Sequence, residues 1–143
     1  MKPSAREIYR TLREEFSNAL DRFSEVLEER KSEIVRDAAV KRFEFTYELA
    51  WKTLKAYLQS TGFDTNSPRA TFQEAYKNNL LSDETPFLNM IAVRNPSSHE
   101  YGQEEVEDIY RQLPGVYASL REVHNTLVSI EQESTNTHER TSP

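Results

Sequence analysis

Apolar residues recur every three or four positions along three long stretches of this chain, and that spacing limits the fold more than any other feature. Ile8, Leu12, Phe16, Ala19 with Leu20, Phe23, and Val26 with Leu27 make the first stripe. At 3.6 residues per turn they share one face of a helix over about residues 4–31. Ser4 is placed to cap its start, and Glu7 three residues on completes a capping box. A second helix is expected over about residues 34–61, closed by Gly62 with Phe63 folding back. A last helix over about residues 103–131 carries Val106, Ile109, Tyr110, Leu113, Val116, Tyr117, Leu120, Val123, Leu127 and Ile130, with Pro114 expected to bend it.

Between the long stretches lie two shorter ones. Ser67-Pro68 is a strong helix start and predicts a helix from Pro68 to about Leu80. Ser82 or Asp83 caps a fourth helix carrying Phe87, Leu88, Met90, Ile91 and Val93. Pro96 then breaks it, because proline cannot donate a backbone bond to residue 92. With only three glycines and no strand alternation, the pattern implies an all-α, antiparallel up-and-down bundle of about five helices. It occupies residues 1–131, followed by a polar tail over residues 132–143 expected to lack order.

The second helix is apolar on more than one side. Val35, Ala39, Phe43, Ala50, Leu54 and Tyr57 form one stripe, while Phe45, Leu49 and Trp51 point elsewhere. A helix with two apolar faces needs two partners. Phe43, Phe45, Tyr47 and Trp51 are therefore expected at an interface with a second copy or another protein.

Chemistry concentrates in Arg94-Asn95-Pro96-Ser97-Ser98-His99-Glu100-Tyr101. Of three histidines, His124 lies in the last amphipathic stretch and His138 in the polar tail, leaving His99 in a plausible chemical setting. One reading is local structure: Arg94 caps a helix end, His99 pairs with Glu100, and Tyr101 packs under the final helix. The other is phosphodiester cleavage. A neutral imidazole can take a proton from a ribose 2′-hydroxyl, and a guanidinium can hold the phosphate with two donors. Asn95, Ser97 and Ser98 could add donors. One Arg and one His make a thin site; two copies about a two-fold axis would supply two of each. Arg42, Lys52 and Arg69 are candidates to line a nucleotide path, or are surface charges.

No cysteine is present, so thiolate chemistry is excluded and a reducing, cytoplasmic compartment is expected. The first residues lack the apolar core of a signal peptide. No H-E-x-x-H or similar ligand cluster appears; Asp37, Glu44 and Glu48 are expected to make solvated or inter-helix ion pairs. Neither a metal nor a cofactor is expected. Residues 1–60 carry a net +1 and residues 61–143 a net −7, which argues against a broad duplex-binding surface.

Three segments together resemble the nucleotidyltransferase substrate-binding protein family, a branch of the HEPN domains. They are Arg42-Phe43-Glu44-Phe45-Thr46-Tyr47-Glu48-Leu49-Ala50-Trp51-Lys52, Ser67-Pro68-Arg69, and the R-x4-H-x-Y window from Arg94 to Tyr101. The resemblance implies a dimeric all-α bundle that works with a minimal nucleotidyltransferase. Two roles go with it: a subunit that presents substrate or nucleotide to that enzyme, or a metal-independent ribonuclease toxin acting on RNA such as tRNA. In the second, Arg94 and His99 match the catalytic pair, and Tyr101 matches the tyrosine that the partner AMPylates to silence the toxin.

Overall fold

A computed structural model describes residues 2–94 and 102–141, with side chains to residue 135 in the last helix. Five helices make up the described residues: α1 (Ala5–Glu28), α2 (Glu33–Ser60), α3 (Pro68–Lys77), α4 (Thr85–Val93) and α5 (Gln103–Thr141). Ser4, Ser32 and Ser67 each accept a bond from the backbone N–H three residues on, at 3.0–3.1 Å, fixing where α1, α2 and α3 begin. α4 has no side-chain cap at Glu84; Asp83 instead accepts from the N–H of Thr85.

α2 ends as the sequence indicates. Gly62 sits at φ +98°, the Phe63 N–H donates to Leu58 O and the Gly62 N–H to Gln59 O. α3 closes in the same way three residues before the expected Leu80. Asn79 takes φ +62°, and the Leu80 N–H returns to Ala75 O. α5 departs most from expectation. It runs on to Thr141, through the polar residues expected to lack structure. Once its earlier turns are formed, extending a helix carries no nucleation cost, so it does not need an apolar stripe to continue.

The three long helices form the bundle. Arg42 of α2 donates to Arg22 O in α1, and the Tyr9 and Tyr57 rings meet at 5.5 Å, so α1 and α2 are antiparallel. Ion pairs Asp21–Arg121 and Arg13–Glu131 set α5 antiparallel to α1 as well. α5 therefore runs parallel to α2, and α3 with α4 carry the chain back to permit this.

An aromatic ladder ties the short helices to the long ones. Ring centroids are 6.4 Å apart from Phe23 to Phe43, 6.1 Å from Phe43 to Tyr47, 6.0 Å from Tyr47 to Phe72 and 5.2 Å from Phe72 to Phe87. Phe43 and Tyr47 are thus buried in the chain's own core, not free for a partner as expected. The second partner their face requires is supplied by α3 and α4. Only Phe45, 62% exposed, and the half-buried Trp51 remain of the four candidate interface residues.

Candidate functional site

Arg94 is the first candidate residue that the fold places. It is the C-cap of α4, its N–H donating to Met90 O at 2.9 Å. The ladder from Phe43 to Phe87 holds α4 against the rest of the bundle, so the register of α4 decides where Arg94 lies. Its side chain reaches back to α2, with Nε 3.9 Å from a Glu44 carboxylate oxygen. That separation is too long for a hydrogen bond, and the buried Nε has no hydrogen-bond partner. Glu44 neutralises the guanidinium without engaging its Nε–H in a hydrogen bond.

Glu48 follows Glu44 by one turn on the same face of α2 and accepts a bond from Trp51 Nε1 at 3.0 Å. Tyr47, the residue before Glu48, feels that carboxylate and Arg94. Burial, then the Glu48 charge, push its phenol up to about 12 while Arg94 opposes the shift, so the hydroxyl stays protonated at neutral pH. Glu44 thus makes an inter-helix ion pair as the sequence indicated, and Arg94 is its partner. At Val93, next to Arg94, a small hollow opens between α4 and α5, lined by Met90, Val93, Ile109 and Leu113 and floored by Phe43.

Asn95, Ser97, Ser98, His99 and Tyr101 lie outside the described residues. The chain re-enters at Gly102 and begins α5 at once. There a second tether to α2 appears. Glu107 accepts from Lys31 Nζ at 2.7 Å and from Arg36 at 3.0 Å, and Arg36 also pairs with Asp37. Those two bonds hold the Glu107 carboxyl below the usual range, Lys31 first and Arg36 second. Lys31 also stands over the Tyr110 ring at 5.7 Å. Both ends of the Arg94-to-Gly102 span are thereby anchored on α2. The sequence carried one sign of this network: Arg36 occupies a core-facing position in the series 36, 40, 43, 47, 50, 54, whose other members are apolar.

Of the other basic candidates, Arg42 is occupied by its 2.6 Å bond to Arg22 O, while Lys52 and Arg69 are exposed.

The family described as nucleotidyltransferase substrate binding protein like matches residues 6–129. This chain belongs to that family. It is 32% identical over 80 residues to a protein of Haemophilus influenzae named a probable ribonuclease HepT, covering 52% of this chain. The match spans about half of that relative's length, 55%. A crystal structure of a Thermus thermophilus protein superimposes with a TM-score of 0.73 at 33% identity, covering 78% of this chain and 98% of that one. A Haemophilus influenzae structure has a TM-score of 0.61 at 22% identity, covering 84% and 96%. It is described as having the fold of a substrate binding domain of a nucleotidyltransferase, and it supports the helical fold alone. No helix among the described residues is long and apolar enough to cross a membrane.

Proposed function

We propose that this protein is a metal-independent ribonuclease, the HEPN toxin of a pair whose other member is a minimal nucleotidyltransferase. The observation that carries this reading is Arg94. Its guanidinium stands at the end of α4, partly exposed and held at 3.9 Å by Glu44, immediately before the segment that contains His99. A phosphate can displace so loose a carboxylate. The resemblance to a protein named a ribonuclease adds to it.

In the proposed reaction the His99 imidazole takes the proton of a ribose 2′-hydroxyl. That oxygen attacks the adjacent phosphorus, and the bond to the 5′-oxygen breaks. The leaving oxygen receives a proton from an imidazolium, and a 2′,3′-cyclic phosphate remains on the other fragment. Arg94 stabilises the charge that gathers on the non-bridging oxygens. Asn95, Ser97 and Ser98 supply further donors. A homodimer brings two such sets together, with exposed Phe45 and half-buried Trp51 of α2 at its interface. In the cytoplasm the partner enzyme would transfer AMP from ATP to the Tyr101 oxygen, releasing pyrophosphate. The added bulk and negative charge would then occupy the place of the RNA phosphate.

Expression in a bacterial host tests this. Wild type should arrest growth, and Arg94→Ala or His99→Ala should relieve it. Co-expression with the nucleotidyltransferase should also relieve it and add one or more AMP masses to the peptide containing Tyr101. The second reading, a non-catalytic subunit that presents substrate or nucleotide to the nucleotidyltransferase, is favoured by the family's description. It requires a stable complex of the two proteins and no growth arrest by this one alone.

A further inference from the structure

The far end of the bundle holds a groove that the Arg94 site does not use. It lies where the start of α1, the last turn of α2 and the later part of α5 meet, and has a volume of about 650 Å³. That is within the usual range for a site holding one small organic ligand.

Its walls have a definite chemistry. Arg6, Tyr9, Arg10 and Arg13 follow one another at helical spacing on the same face of α1. Arg13 is neutralised by Glu131 at 3.1 Å. Arg6 and Arg10 line the groove, are exposed, and have no ion pair among the described residues. Two exposed guanidinium groups thus border the groove in a chain whose net charge is −6. Tyr9 and Tyr57 supply aromatic surface, their rings tilted against each other at 5.5 Å.

Tyr9 is the informative residue. It is only 5% exposed, yet its hydroxyl makes no hydrogen bond of good geometry. Burial first, then the charge of the Glu131 carboxylate and a hydrogen-bonding contact with it, raise its pKa, so the hydroxyl faces Glu131 without a bond of good geometry. A buried hydroxyl so poorly paired gains little from staying where it is, and Glu131 is already engaged by Arg13, so the hydroxyl can turn to a ligand in the groove.

We propose that this groove binds a nucleotide, with its phosphate on Arg6 and Arg10, its base against Tyr57, and the Tyr9 hydroxyl as a further donor. Guanidinium groups beside aromatic faces are the usual equipment for unpaired nucleotides. The ligand is chosen on the ribonuclease reading, in which the nucleotide belongs to the RNA substrate; a free nucleotide presents the same chemistry. Tyr57 lies thirteen residues from Glu44, about 20 Å along α2. A strand of several nucleotides is therefore needed to reach both places.

Fluorescence anisotropy with a labelled ten-nucleotide single-stranded RNA tests the groove, using full-length His99→Ala protein to keep the RNA whole. Adding Arg6→Ala and Arg10→Ala should weaken binding about tenfold and make the salt dependence shallower by about 1.4 in log–log slope. Both residues are exposed and make no ion pair among the described residues, so folding should be unaffected. Tyr9→Phe should melt no lower than its parent yet bind several-fold more weakly. Binding that none of these substitutions changes overturns the proposal, as does a parent protein that binds neither the RNA nor ATP. ATP that displaces the RNA at millimolar concentration marks a free nucleotide as the occupant; failure to displace it marks the strand. The two readings fail separately. Wild type that leaves RNA intact, while the arginine variants lose binding, removes the ribonuclease and keeps the groove. Cleavage with an unchanged KM in an Arg6→Ala/Arg10→Ala chain that retains His99 does the reverse.

Discussion

His124 is buried against the edge of Phe16, ring centroids 5.7 Å apart, with its Nε2 unpaired. Desolvation first, then Arg121 and Arg13, lower its pKa, outweighing Asp21 and Glu131. The unfolded chain therefore takes up this proton at a higher pH than the folded one does. Stability that is complete above about pH 6.5 should decline as the pH falls through the lowered value. Urea midpoints between pH 5 and 7.5 should show that slope in wild type and lose most of it in His124→Leu. Glu107 has the same sign for a different reason. Its carboxylate is stabilised in the folded state, so its contribution holds above the unfolded carboxylate's range, about pH 4.3, and is lost as the pH falls through the lower folded value. Glu107→Gln should lower Tm at pH 7 and narrow the difference from wild type near pH 3. At this scale the sequence singled out a candidate in Arg94, because a cation five positions before a histidine and seven before a tyrosine is an uncommon grouping. The Glu107–Arg36 bond was not legible, since it joins positions 71 apart and leaves no local spacing to read.

Helix boundaries follow from caps, and each cap makes a measurable claim. Gly62 sits at φ +98° with nothing within 4 Å of a built Cβ, so Gly62→Ala meets no clash and should cost about 1–2 kcal/mol from backbone strain alone. Phe72 is fully buried between Tyr47 and Phe87 and is the rung that links α2 to α4. Phe72→Ala should cost about 3–5 kcal/mol in chemical denaturation and, by loosening α4, shift Arg94. The long helices were legible because their apolar stripes are long, and Ser4 stands in place to cap α1. The end of α3 was readable in principle, since Asn79 is a residue type that tolerates positive φ. The end of α5 was not, because a solvated helical extension and a disordered polar tail share one composition. The two apolar faces of α2 show the limit most clearly. Periodicity reveals that a face is apolar, but not whether α3 and α4 or a second subunit covers it.

At the scale of the whole molecule, α2 still carries apolar surface after its own bundle is satisfied. Ile34 is 82% and Phe45 62% exposed. Eleven residues separate them, so they lie within about 20° on the helix and about 16 Å apart along it. Trp51, six residues after Phe45, lies about 120° round the helix and is half-buried. This is the surface on which a two-fold partner is proposed, and Phe45→Glu should convert a dimer into a monomer in light scattering without lowering Tm. The same variant should lose cleavage activity if the two Arg94–His99 sets act together. The most direct test of the catalytic proposal is cleavage of a labelled tRNA by purified dimer in EDTA, with wild type compared to Arg94→Ala, Arg94→Lys and His99→Ala. Wild type should yield fragments ending in 2′,3′-cyclic phosphate, and each variant should be slower by at least a hundredfold, Arg94→Lys included because it loses the two-pronged grip on phosphate. Intact tRNA with wild type, or equal rates for wild type and His99→Ala, would contradict it.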